Sequence, residues 1–197
     1  MTTSHVTPHH TDPAGGYPTL TITENGAEKT LYVQYPEWTP TDDITVAGNG
    51  VDFAATSGDG TKFEYAKRLY LSESATLDTA QYYRPNLLGG AIEYDVDLSD
   101  VSCGCVSSIS AVRMPVMDNW RDAFHYCDAN QMNEPRSHLC PEFDFMQANR
   151  HSFHSAAHKC DAPQNGVYTR CDRGGQCSLN PVHMRLDHGQ RAYGYGS

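Results

Sequence analysis

Cys140-Pro141-Glu142-Phe143-Asp144-Phe145-Met146-Gln147-Ala148-Asn149 is the stretch on which the fold turns. Side chains on a strand alternate between its faces, so Phe143 and Phe145 share one face and Glu142 and Asp144 the other. Two acids side by side on one face repel each other, which raises one of their pKa values. Such a pair persists where it is solvated or useful. The pattern E-x-D-x-x-E on a β-sandwich strand suits glycoside hydrolysis with retention. There the first Glu attacks the anomeric carbon, the Asp tunes it, and the last Glu acts as acid and then base, with the catalytic carboxyls about 5–5.5 Å apart. Here the third position is Gln147, an amide with no proton to give at a useful pKa.

The chain around this strand reads as β. Leu20-Thr-Ile22, Leu31-Tyr-Val33, Ile44-Thr-Val46 and Leu69-Tyr-Leu71 are short strand cores separated by Asn-Gly, Pro and Gly-Asp-Gly punctuation. Ala91-Ile-Glu-Tyr-Asp-Val-Asp-Leu98 alternates apolar and acidic residues and predicts a half-buried strand, and Val106–Met114 predicts another. Residues 115–141 and 150–181 read as long loops held by cysteines, the kind of loop that forms a binding surface. Residues 1–17 read as a flexible arm and residues 18–197 as one domain. Many short strands with turns between them point to an all-β sandwich or jelly roll.

Composition narrows the function. Lys and Arg total 14 against 24 Asp and Glu, a formal charge of −10, which argues against a nucleic-acid or anionic-membrane binder. No apolar run approaches the roughly 20 residues of a membrane span. With 16 Gly, 11 Pro and no 3.6-residue periodicity, a helical bundle is excluded. The N-terminus lacks the apolar stretch of a signal peptide. Seven cysteines, Cys103, Cys105, Cys127, Cys140, Cys160, Cys171 and Cys177, all lie in the second half, without zinc-site spacing. They point to an oxidising compartment, hence secretion, and their odd number leaves at least one thiol free or bonded to another chain.

Taken together the segments resemble glycoside hydrolase family 7, the fungal-type cellobiohydrolases and endoglucanases acting on β-1,4-glucan. That family carries an E-M-D-I-W-E-A-N-type strand preceded by Cys and followed by Pro-His-Pro-Cys. Here Cys140–Asn149 and Ala157-His158-Lys159-Cys160 match it. Arg68–Leu71, Ile92–Leu98 followed by Cys103-Gly104, Tyr126-Cys127-Asp128, and Cys171-Asp172 with Cys177 and Asn180-Pro181 follow in collinear order. The resemblance spans roughly Tyr17 to the C-terminus. It implies a concanavalin-like β-sandwich with a glucan cleft on its concave face and bridges Cys127–Cys140 and Cys160–Cys171. It also implies that strands closing the sandwich are missing at the C-terminus, so that the chain self-associates or is completed by a second chain.

The resemblance carries over Glu142, Asp144, Gln147 and His158 as catalytic positions, and Trp38, Trp120, Tyr168 and His183 as substrate-binding candidates. Gln147 stands where the acid/base Glu belongs, Met146 replaces a Trp, Ser178-Leu179 replaces Asp-Trp, and His183 falls in place of an Arg. Two functions are compatible with this set. One is an extracellular, catalytically impaired or inactive descendant that binds β-glucan or serves as a structural subunit. The other is a retaining β-1,4-glucan hydrolase with Glu142 as nucleophile and an unconventional proton donor, His158 or Glu134. His151, His154 and His158 would form a metal-binding face on a helix, but the resemblance places them in a loop. His5, His9 and His10 lie in the polar arm. No metal or cofactor is expected. Asn149 reads as support of the turn after the strand.

Overall fold

The computed structural model describes residues 12–35, 44–53, 68–102, 105–114, 124–130 and 139–179. It divides into two compact units, Met1–Gly90 with Val116–His125, and Ala91–Pro115 with Tyr126–Ser197.

The first unit is built on a hairpin. β1 (Thr19–Glu24) pairs antiparallel with β2 (Ala27–Gln34) across Asn25-Gly26, whose φ values are 54° and 82°. Two left-handed residues in a two-residue loop give the turn whose twist matches the paired strands, which is why Asn-Gly sits there. β3 (Ile44–Ala47) and β4 (Gly50–Phe53) form a second hairpin, and β5 (Tyr70–Ser72) adds to β2. Leu31 and Val33 are fully buried on β2, with Tyr17, Leu20, Tyr35 and Tyr70 also buried. Tyr70 stacks on Tyr82 and Phe124 at ring-centroid distances of 5.5 and 5.0 Å. Within the expected arm, Asp12 accepts the Leu77 N–H (3.1 Å) and Tyr17 packs edge-on against Tyr35. Buried Gln34 donates to the carbonyls of Ser74 and Thr76 (3.0 and 2.9 Å), which ties down the loop after β5.

The second unit holds an antiparallel sheet ordered β6 (Ser107–Val112), β7 (Glu142–Asn149), β8 (Ser152–His158), β9 (Gln176–Leu179). The β7–β8 turn is organised by Asn149. Its Oδ1 accepts the backbone N–H groups of His151 and Ser152 (2.9 and 3.0 Å), and its Nδ2 donates to the Cys105 carbonyl (3.1 Å). This is the supporting role read from the sequence.

Three expectations are corrected here. Residues 150–181 are not one loop, since β8 and β9 lie within them. His154 and His158 therefore stand on a strand and not in a loop. Residues 91–98 join no ladder among the described residues. Alternation records which face a side chain would take but cannot supply the partner strand that a ladder needs.

Two disulfides brace the unit, Cys127–Cys140 and Cys160–Cys171, the pairs the resemblance implies. Cys105 is the free thiol among the described residues. Both sulfurs of the first bridge are fully buried, and the Cys140 N–H donates to the Asp128 carbonyl (3.0 Å) beside it. Replacing Cys127 and Cys140 together by Ala is expected to lower unfolding free energy by about 3 kcal/mol, the loop-closure entropy of a short loop. Urea titration of the oxidised variant and parent checks this, and coincident midpoints would show that the bridge contributes nothing.

Candidate active site

A regular strand cannot place residues 144 and 147 on the same face, because three is odd and the side-chain period is two. The structure resolves this with a bulge. On β6, Ile109 pairs with Met146 and the next residue, Ser110, with Asp144. On β8, Gln147 pairs with His154 and Asp144 with Ala156. β7 thus carries one more residue than either neighbour between Asp144 and Gln147, and the extra residue turns Gln147 back towards Asp144. The Ser155 hydroxyl donates to the Asp144 carbonyl (2.7 Å) where the ladder breaks.

Asp144 is fully buried, which is costly for a carboxylate unless its oxygens are hydrogen-bonded. Its Oδ1 accepts the Ser110 hydroxyl (2.6 Å), and its Oδ2 accepts the Gln147 amide (2.8 Å) and faces His158 Nε2 (3.1 Å). Glu142, half-buried, accepts the Ala129 N–H (3.1 Å). One ligand-capable atom each from Glu142, Asp144 and His158 lies within 4.8 Å of the others, so these three are the described residues that could hold a cation.

His158 is fixed at both ring nitrogens. Nδ1 lies 2.8 Å from the Asp172 carbonyl, which only accepts, so Nδ1 carries a proton. Nε2 lies 3.1 Å from an Asp144 carboxylate oxygen, a contact that favours the doubly protonated imidazolium. Burial on its own would lower the His158 pKa, but the Asp172 carbonyl, the Asp144 carboxylate and the Glu142 charge outweigh it, and the net shift is upward. The Glu142 pKa is pushed up to about 7, first by burial and then by the charges of Asp144 and Asp128, against the Ala129 N–H and His158.

The wall behind His158 was not legible in the sequence. The Cys160–Cys171 bridge and the backbone pairing of Cys160 with Cys171 hold the Lys159–Asp172 loop closed, and that sets the Asp172 carbonyl on the ring. Gly175, at φ 73°, passes so close that a Cβ there would lie 2.9 Å from Ala156 Cβ and 3.1 Å from His158 Cε1. The signals for Ser110 and Gly175 are spatial; neither sits in a motif with Glu142.

Tyr168 is half-buried and bridges to Leu139. Trp38, Trp120, Glu134 and His183 lie outside the described residues.

No protein-family model and no curated protein matches the sequence. Solved structures do match. Endoglucanase I complexed with cellobiose shares the fold with a TM-score of 0.72 and 19% identity, over 92% of this chain and 62% of that one. The native endocellulase EGI of Humicola insolens gives 0.68 at 20% identity, over 97% and 64% respectively. The chain therefore has the all-β jelly-roll fold of these endoglucanases and spans 62–64% of their length. Among the described residues no helix is long and apolar enough to cross a membrane.

Two outcomes follow from the cluster. Both Glu142 and His158 have folded-state pKa values above their ordinary ones, so both add stability below the ordinary values and lose it as pH rises through the shifted ones. Tm is expected to fall between pH 4.5 and just above 7, where Glu142 titrates, and Glu142→Gln is expected to flatten that slope; an unchanged slope in the variant would reject the Glu142 assignment. Gly175→Ala is expected to destabilise by about 1–3 kcal/mol, from left-handed backbone and the close contact. Because it shifts the ring off the Asp172 carbonyl, the His158 pKa measured by NMR should drop towards the ordinary value.

Proposed function

We propose that this chain is an extracellular relative of the family 7 glycoside hydrolases that no longer hydrolyses its glycan efficiently. In this reading it binds β-1,4-glucan, or serves as a structural subunit of an extracellular assembly. The supporting likeness is to endoglucanases, one of them complexed with cellobiose. Two disulfides fit an oxidising compartment.

The observation that carries the reading is Gln147. Retention needs a second carboxyl to protonate the leaving oxygen, and proton transfer of this kind contributes about 10²–10⁴-fold. Gln147 has no such proton, and its amide is spent on Asp144 at 2.8 Å. Glu142, with a pKa pushed up to about 7, is mostly neutral in mildly acidic medium and is then a poor nucleophile.

The competing reading is a hydrolase that uses His158 as its acid. Its support is the upward-shifted imidazole within 4.8 Å of Glu142. Against it, both ring nitrogens are already engaged, by Asp172 and Asp144, so a proton leaving Nε2 would give up the bond that stabilises it.

Reducing-sugar release from amorphous cellulose, run beside a cellulose pull-down, tests the proposal. The parent chain is expected to bind without turnover. An activated aryl β-glucoside, whose leaving group departs without an acid, is expected to give at most one slow glycosylation per chain. Gln147→Glu is expected to restore hydrolysis only in part, since Met146, Leu179 and His183 also depart from the family pattern. Multiple turnovers on cellulose by the parent chain, abolished in His158→Gln, would overturn the proposal in favour of the histidine acid. Failure of both binding and rescue would leave the structural subunit.

A further inference from the structure

Residues 91–98 read Ala-Ile-Glu-Tyr-Asp-Val-Asp-Leu. A strand of this sequence sets Ile92, Tyr94 and Val96 on one side and Glu93, Asp95 and Asp97 on the other. Among the described residues no strand pairs with it, and residues 91–97 are all exposed. Ile92, Tyr94 and Val96 remain 41%, 39% and 40% exposed, an apolar row of the type that a sheet normally covers. Backbone N–H and C=O groups beside such a row are a template for strand addition.

We propose that residues 91–98 are a docking strand for a second polypeptide whose incoming strand alternates apolar side chains with Lys or Arg. This deepens the subunit reading above and rests on it.

Charge selects the partner. If two copies paired antiparallel about Asp95, Glu93 would face Asp97 of the other copy and Asp95 would face itself. Like charges directly opposite are destabilising. A slip by one residue relieves that repulsion only by setting Tyr94 and Val96 against acids, which breaks the apolar face. The chain as a whole carries −10, so a second copy also meets long-range repulsion, whereas a cationic strand is attracted. Asp97 is partly spent, because its Oδ1 accepts the Ser99 N–H (2.9 Å) and closes the segment there. Glu93 and Asp95 are left as the acids that select the incoming cations.

The probe is a nine-residue peptide alternating Val or Ile with Lys or Arg. Its control has the same composition with the apolar residues grouped together. Both are titrated against the full chain, with hydrogen exchange followed across the backbone. The alternating peptide is expected to bind saturably and to slow exchange at residues 91–98. Glu93→Gln with Asp95→Asn is expected to weaken it about tenfold, the worth of two good cross-strand charge pairs. Tyr94→Pro, which removes a ladder donor from an exposed segment, is expected to abolish binding while circular dichroism stays that of the parent. Equal binding of the grouped peptide, protection falling elsewhere, or capture that survives Tyr94→Pro would overturn the proposal. So would self-association of the parent chain with protection at these same residues. A cellulose pull-down beside peptide capture, both on the parent chain, separates the two readings. Absent cellulose binding with peptide capture rejects the glucan reading alone, and the reverse result rejects the docking strand alone.

Discussion

The second unit is arranged around one buried carboxylate. Asp144 is fully removed from water, and each of its oxygens is met by a donor from a different place: Ser110 on β6, Gln147 beyond the β7 bulge, His158 at the end of β8. Leaving such a group unsatisfied costs several kcal/mol, so the donors and the strands that bear them are fixed relative to one another. The bulge follows from the same demand. Without the extra residue on β7, Gln147 would point with Phe143 and Phe145, and Asp144 would lose its amide.

The amide changes the character of the cluster. A carboxyl at position 147 would add a third acid beside Glu142 and Asp144, and at least one of the three would have to stay protonated. An amide needs no proton to donate to Asp144, and it does so at every pH. The cluster thereby becomes more static. Glu142 and His158 both have pKa values raised above their ordinary ones in this setting, that of Glu142 to about 7. A site that must lend and recover a proton gains nothing from such an exchange, whereas a scaffold does.

Much of the fold could be read from the residues. Asn25-Gly26 announces the first hairpin because only residues tolerant of positive φ fit its two-residue turn. Asn149 announces the β7–β8 turn because a short amide side chain can cap neighbouring backbone donors. The two bridges came with the family pattern and not from spacing, which leaves many pairings open. What could not be read depends on contacts between distant segments. Ser110 is one of several serines on an unremarkable strand, and its role appears only once β6 lies beside Asp144. Gly175 looks like turn punctuation until its approach to His158 is measured. Ala91–Leu98 has strand alternation and, among the described residues, no ladder, since a pattern within one segment says nothing about the presence of its partner.

The histidine joins these levels. Its ring is held on one side by a backbone carbonyl that the Cys160–Cys171 bridge positions, and on the other by the buried carboxylate. The bridge closes a short loop, so it reduces the freedom of the unfolded chain and also aims a specific acceptor. Gly175 completes the wall by having no side chain. A covalent link, a missing Cβ and a buried charge thus converge on one imidazole, which leaves the ring little room to adopt a second position. Such rigidity suits a residue that stabilises a neighbouring carboxylate. In the proposed reading, what keeps His158 from serving as the acid is that its Nε2 is already engaged by the Asp144 carboxylate at 3.1 Å.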